Sequence, residues 1–206
     1  MVIKEKKQLS FVIQADRMMN RGTFKRTLFD RIRELVFPDH IMSFLYYMRK
    51  CSYYRHGGGG MLSRIMYAYN MKLYCRLGEK LGFSIGCDSL GYGVVIPHYG
   101  TIVIGSSPRI GNYAVLHTST CISNNKKIIG DGLYLSTGAI ITSEITLGNN
   151  ISIGANSVAN KSYTGNNALI AGAPAKYIRD KEPWYDGKYL WRMEQVEILK
   201  QQMNIQ

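Results

Sequence analysis

The chain of 206 residues lacks any apolar run of the roughly 18 residues that a membrane-spanning helix requires. Its densest stretch, Ile41 to Met48, is far too short. The opening MVIKEKKQLS has basic residues but no apolar core or small-residue cleavage site behind them, which argues against a secretory signal. Only four cysteines occur, and Cys51, Cys75, Cys87 and Cys121 show no metal-ligand or redox spacing. Free buried thiols in a reducing cytoplasm are therefore expected. Histidine is equally scarce, with four residues, and two of them, His40 and His56, sit beside Pro and Gly breaks with no partner pattern.

Acidic residues are few, 14 against 26 Lys and Arg, for a net charge of +12. The imbalance is local: residues 1–84 hold 16 basic side chains against 6 acidic, whereas residues 179–206 hold 5 of each. No nucleic-acid motif accompanies the basic stretch, so nucleic acid is not an expected partner. A solvated helical surface explains the charge first, and proximity to the inner face of an anionic membrane second.

What the chain does have is a period. Ile129, Leu135, Ile141, Leu147 and Ile153 are six residues apart, and Leu133, Ala139, Ile145, Ile151 and Ser157 follow each by four. Neither a helix of period 3.6 nor a strand of period 2 repeats every six residues. A chain that turns a corner every six residues, pointing one aliphatic inward per side, does. This hexapeptide repeat predicts a mainly β fold, a left-handed parallel β-helix with three sides to a coil. Earlier blocks continue it: Leu90, Ile96 and Ile102, then Ile110, Leu116 and Ile122, separated by gaps of eight and then seven residues. About four coils are expected, ending near Val158, with functional loops where the period slips.

Around this solenoid the division reads as residues 1–84 helical, 85–178 β-helix and 179–206 a C-terminal tail with a short helix. Four helices are expected first. One surrounds Phe11 and Met18 and ends near Gly22; a second is capped by Thr23; a third starts at Asp39. The fourth follows the Gly57–Gly60 run, with Leu62, Ile65, Met66, Tyr69, Leu73, Leu77 and Leu81 along one face. Residues 165–174 read as an irregular exit, and the tail helix as a cover for the last coil. The crowded tyrosines between Tyr46 and Tyr74 are expected to pack between helices.

Chemistry can come from His98 and His117, which lie two and one positions after inward aliphatics and so outside core slots. They are about one coil apart. A histidine near neutral pKa can take a proton from a hydroxyl as a general base.

The repeat, together with IGCDSLGYGVVIPHYGTIVIG (85–105) and AGAPAKYI (171–178), resembles the left-handed β-helix hexapeptide acyltransferases. Within them it most resembles the serine acetyltransferase branch, and it is more similar still to that branch's relatives in exopolysaccharide and capsule synthesis. The resemblance implies transfer of acetyl from acetyl-CoA to a hydroxyl, without a metal, by homotrimers or pairs of trimers in the cytoplasm. It places the catalytic role on His98, acceptor contacts on His117, Asn124 and Asn125, and acetyl-CoA contacts on Thr137, Ala155, Lys161 and Lys176. The chain departs from serine acetyltransferases at Pro97 and Phe83, where that branch has aspartates, and at SNNKK (123–127), which replaces a loop with charged residues. Those departures remove partners for an amino-acid zwitterion and favour a sugar hydroxyl as acceptor. Serine as acceptor is the alternative. A hexapeptide carbonic anhydrase would need a third coil histidine that the chain lacks, and a non-catalytic binding solenoid would leave His98 as a corner residue.

Overall fold

The computed structural model describes residues 1–205. Four helices come first, α1 (Lys6–Arg21), α2 (Leu28–Val36), α3 (His40–His56) and α4 (Gly60–Leu81). Then the chain coils. Strands β1 (Phe83–Ile85), β2 (Ile102–Ile104), β5 (Thr120–Ile122), β8 (Ile140–Ile141) and β11 (Val158–Ala159) stack in parallel as a first face. Leu90, β3 (Arg109–Ile110), β6 (Ile128–Ile129), β9 (Thr146–Leu147) and Tyr163 stack as a second. Val95, β4 (Val115–Leu116), β7 (Tyr134–Leu135), β10 (Ile151–Ile153) and β12 (Ala168–Gly172) form the third. The expected parallel β-solenoid is present.

Its inward slots are those the period assigns. Leu135, Ile141 and Ile153 are fully buried, Ile129 and Leu147 nearly so, and the small residues Ala139 and Ser157 fill the positions between. One aliphatic column per face makes a single core that continues upward into α3 and α4.

The solenoid has about five coils rather than four. Phe83 and Ile85 extend it upward, pairing with Ile102 and Ile104. At the lower end, part of the supposed irregular exit is β12, which pairs in parallel with β10 and then turns back as antiparallel β13 (Ala175–Asp180). Ala168 and Ile170 repeat the inward pair Ile151 and Ile153 in register, but Tyr163 takes the second-face slot and Ile170 follows it by seven residues, so a six-residue count of aliphatics loses the coil.

The helices cover the upper coil edge. Phe44 meets Phe83 edge-on at 5.2 Å, and the α4 terminus accepts hydrogen bonds from Gly100 N and Ile102 N through Leu81 O and Gly82 O. Gly78 has no room for a Cβ, which would lie 2.6 Å from Phe83 O, so glycine lets α4 approach this close. A buried ion pair fastens the helices to the solenoid. The Arg49 guanidinium donates to both Asp16 carboxylate oxygens at 2.8 and 3.2 Å and to the carbonyls of Leu90 and Gly91, while Val94 N donates to Asp16. Each carboxylate oxygen of Asp16 and each guanidinium nitrogen of Arg49 has a hydrogen-bond partner, the condition under which a buried ion pair is tolerated.

Three helical expectations change. The second helix is capped by Thr27, whose hydroxyl accepts from Asp30 N while Asp30 accepts from Thr27 N, each at 3.0 Å. Thr23 cannot be answered in this way, because Arg26 stands three residues on. The packing face of α4 runs through Ser63, Asn70, Tyr74, Gly78 and Leu81; of the expected apolar residues Leu81 is buried and Met66, Leu73 and Leu77 are half-buried, while Leu62, Ile65 and Tyr69 face outward. The C-terminal helix α5 (Leu190–Gln202) covers no coil end; it lies with α1 against the third face of the first coils. Tyr92 and Tyr113 donate to Glu197 there, and Trp184 Nε1 donates to Tyr113 O at 2.8 Å. All four thiols are free, with Cys51 and Cys87 buried as expected but Cys75 exposed. Burial pushes the Cys51 thiol up to about 12. Among the crowded tyrosines Tyr74 packs as expected, stacked on Phe44 at 4.9 Å.

Candidate active site

The turn from the third face to the first is a regular corner of the solenoid. Ser119, Gly138 and Asn156 occupy it in successive coils, each with φ between 53° and 74°. Backbone bonds stack them: Gly138 N donates to Thr118 O at 3.1 Å, and Asn156 N to Thr137 O at 3.0 Å. The left-handed turn throws the residues just before it outward. In descending order these are His98, His117 with Thr118, Thr137 and Ala155, with the β12–β13 turn below them. Lys176, exposed on β13 opposite Ala171, stands beside that turn. Five of the eight residues expected to form the site thus line one ridge, the histidine corner.

His98 is exposed and Tyr99 beside it is 75% exposed. His117 is half-buried, with Nε2 2.8 Å from the Tyr134 hydroxyl and its ring 5.0 Å from the tyrosine ring. Burial, and secondarily the charge on His98, hold the His117 pKa below the ordinary imidazole value. At neutral pH His117 is therefore an uncharged hydrogen-bonding group. Lys181 places its ammonium 5.0 Å from the centre of the other side of this cluster, the Tyr134 ring. Burial pulls the Lys181 pKa down, and Arg179 adds to the effect. Tyr134 and Lys181 were not among the expected residues. A register count finds the tyrosine: it precedes inward Leu135 as Val115 precedes Leu116, and the two pair directly.

Asn124, Asn125 and Lys161 stand elsewhere, at the turn from the first face to the second. Asn124 Oδ1 accepts from Ser107 N at 3.0 Å, and Asn125 Oδ1 accepts from Ser123 Oγ at 3.1 Å. Beneath them Lys127 is buried, its ammonium donating to Ser123 O and Oγ at 2.9 and 2.8 Å. Both slips of the period, between Ile102 and Ile110 and between Ile122 and Ile129, fall at this asparagine corner and not at the histidines. Within one chain, then, the acceptor candidates Asn124 and Asn125 are a full solenoid side away from His98.

The histidine corner offers a base, a neutral imidazole with a tyrosine partner, and a descending groove edge of small side chains. Among the described residues, no carboxylate hydrogen-bonds either histidine. Pro97 is exposed beside His98, while Phe83 is buried in the first coil. No group of three or more His, Cys, Asp or Glu side chains converges among the described residues, and no described helix is long and apolar enough to cross a membrane.

No family profile matches the chain. It is 25% identical over 111 residues to a serine acetyltransferase of Mycobacterium tuberculosis, an alignment covering 50% of this chain and 48% of that protein. Serine acetyltransferase 2 of Arabidopsis thaliana is 30% identical over 120 residues, covering 54% and 37%. The chain thus spans less than half the length of these curated relatives. Among solved structures, the Neisseria gonorrhoeae serine acetyltransferase in complex with serine superposes with a TM-score of 0.58 at 20% identity, over 84% of this chain and 70% of that one. The Brucella abortus strain S19 serine acetyltransferase in complex with coenzyme A gives a TM-score of 0.52 at 20% identity, over 85% and 68%. The likeness shows the fold, a hexapeptide-repeat β-solenoid, which in this chain has its helices first and its coils after.

Proposed function

We propose that the protein is an O-acetyltransferase that takes acetyl from acetyl-CoA to an acceptor hydroxyl at the histidine corner. One observation carries the reading: His98, His117, Thr137 and Ala155 align on a single ridge, with Lys176 beside its lower end. His98 takes the hydroxyl proton as the oxygen attacks the thioester carbonyl. The C–S bond then breaks, and the proton passes to the leaving thiolate, giving acetyl ester and CoA. Small side chains at Thr137 and Ala155 let the acetyl-CoA arm lie against the backbone, and Lys176 meets its phosphates. The likeness to a neighbour solved with coenzyme A supports this track.

Serine is the acceptor that the comparisons favour, since the matched relatives are serine acetyltransferases and one neighbour was solved with serine. It displaces the saccharide hydroxyl that the altered residues first suggested. The saccharide remains as second reading on one observation, the absence of a carboxylate on either histidine among the described residues. The active assembly we propose is a homotrimer in which Asn124, Asn125 and Lys161 serve a neighbouring copy's His98. Outward Val103 and Ile128 on the coil faces, 37% and 54% exposed, support such contacts.

The test is thiol release from acetyl-CoA with L-serine, nucleotide sugars and oligosaccharides offered in parallel. Turnover on serine is expected. Turnover on saccharides alone would install the second reading, and no thiol release with any acceptor would overturn the activity. His98→Ala should lower turnover by about 10²–10⁴-fold, the usual worth of a general base, with the oligomer unchanged.

A further inference from the structure

A cavity of about 520 Å³ opens between α1, α2 and α3, away from the histidine corner. Its lining is strongly cationic. Arg17, Lys25, Arg26 and Arg31 contribute four cations, and no carboxylate lines it. The compensation behind the walls is incomplete. Asp30 is divided between Arg17 at 3.0 Å and Arg33 at 3.4 Å, and Glu34 answers Arg26 at 3.2 Å. Among the described residues, Lys25 and Arg31 have no acidic partner.

Arg17 is the telling member. Its side chain is 8% exposed, yet its Nε has no hydrogen-bond partner. Burial pulls its pKa down despite the Asp30 carboxylate. An arginine fork that faces a hollow beside two unpaired cations suits a multivalent oxyanion. The remaining wall is formed by Ile13, Phe24, Met42, Ser43, Tyr46 and Tyr47. The volume falls within the ordinary range of small-molecule sites.

We propose that this cavity binds a phosphate-bearing ligand, its phosphate held by Arg17, Lys25 and Arg31 and its apolar part laid against Phe24 and Tyr46. The site is separate from the acetyl-transfer reading and does not rest on it. Two sources share this chemistry, a soluble phosphate ester and a lipid headgroup. The second is open because α2 presents Leu28, Phe29 and Ile32 outward beside the cavity, 74%, 71% and 58% exposed.

The experiment uses the full chain with two probes. Phenyl phosphate is titrated calorimetrically, and phosphatidylcholine vesicles with and without phosphatidylglycerol are sedimented with the protein. The variant carries Lys25→Gln and Arg31→Gln, both exposed and free of acidic partners among the described residues, so its circular dichroism should match the parent's. Saturable binding of phenyl phosphate, weakened about tenfold or more in the variant by loss of charge-assisted bonds, assigns a soluble ester. Co-sedimentation with anionic vesicles alone, lost in the variant, assigns a headgroup. Binding of neither probe by the parent chain overturns the proposal, as does binding that the variant leaves unchanged.

Discussion

Two corners of one solenoid differ in what their side chains are committed to. At the asparagine corner, Asn124, Asn125 and Lys127 hydrogen-bond to backbone or to one another's neighbours and hold the longer turns that the inserted residues make. At the histidine corner the backbone satisfies itself through left-handed turns at Ser119, Gly138 and Asn156. There the outward side chains are left available. An irregular loop needs its polar residues for its own support, whereas a regular one can present them to a ligand. Loop length is therefore a poor guide to the site in this molecule.

Overfilling the ridge should give the largest effect. Thr137→Trp is expected to raise the KM for acetyl-CoA about tenfold to hundredfold, the equivalent of the roughly 1–3 kcal/mol cost of an overpacked contact. A KM within twofold of the parent would place the cofactor arm elsewhere. Lys127→Ala tests the opposite corner. It leaves Ser123 O without its buried donor and should cost about 1–3 kcal/mol in urea denaturation while kcat/KM for the surviving folded protein stays unchanged. A loss of activity without a loss of stability would give Lys127 itself a chemical role.

Smaller effects sharpen the histidine side. Tyr134→Phe removes the hydroxyl 2.8 Å from His117 and should lower kcat severalfold, about 1 kcal/mol for one hydrogen bond. A change in KM alone would make Tyr134 a mere wall. Last comes titration. Because the folded-state pKa of His117 is depressed, its contribution to stability is present above the unfolded value and is lost as pH falls through the folded one. Imidazole resonances should show a His117 midpoint below the ordinary 6.5, moving up in His98→Ala once the neighbouring cation is gone. An unmoved midpoint would mean that the two rings do not sense each other.

Most of the fold is legible in the sequence, since one buried aliphatic per six residues is a direct consequence of three-sided coiling. Ile129, Leu135 and Ile141 take their slots without exception. The corners are legible too when sides are counted in threes. His98, Thr137 and Ala155 each stand two residues past an aliphatic of the third face, whereas Asn124 and Lys161 stand two past one of the first. Other features depend on contacts that no local pattern encodes. The Tyr134–His117 bond needs side-chain direction, and α5 returns to the upper coils because Trp184, Tyr113 and Glu197 meet there. For α4, burial follows Gly78 and Tyr74 rather than the more apolar Leu62 and Ile65, because close approach to Phe83 decides which face turns inward.

The central claim is that the ridge below His98 is the acetyl-CoA track. Backbone amide shifts recorded while CoA is titrated into the full-length protein test it most directly. The account predicts a contiguous set of perturbations at Thr118, Thr137, Ala155 and Lys176. Perturbations confined to Ser107, Asn124 and Lys161, with Thr137 and Ala155 unmoved, would contradict it.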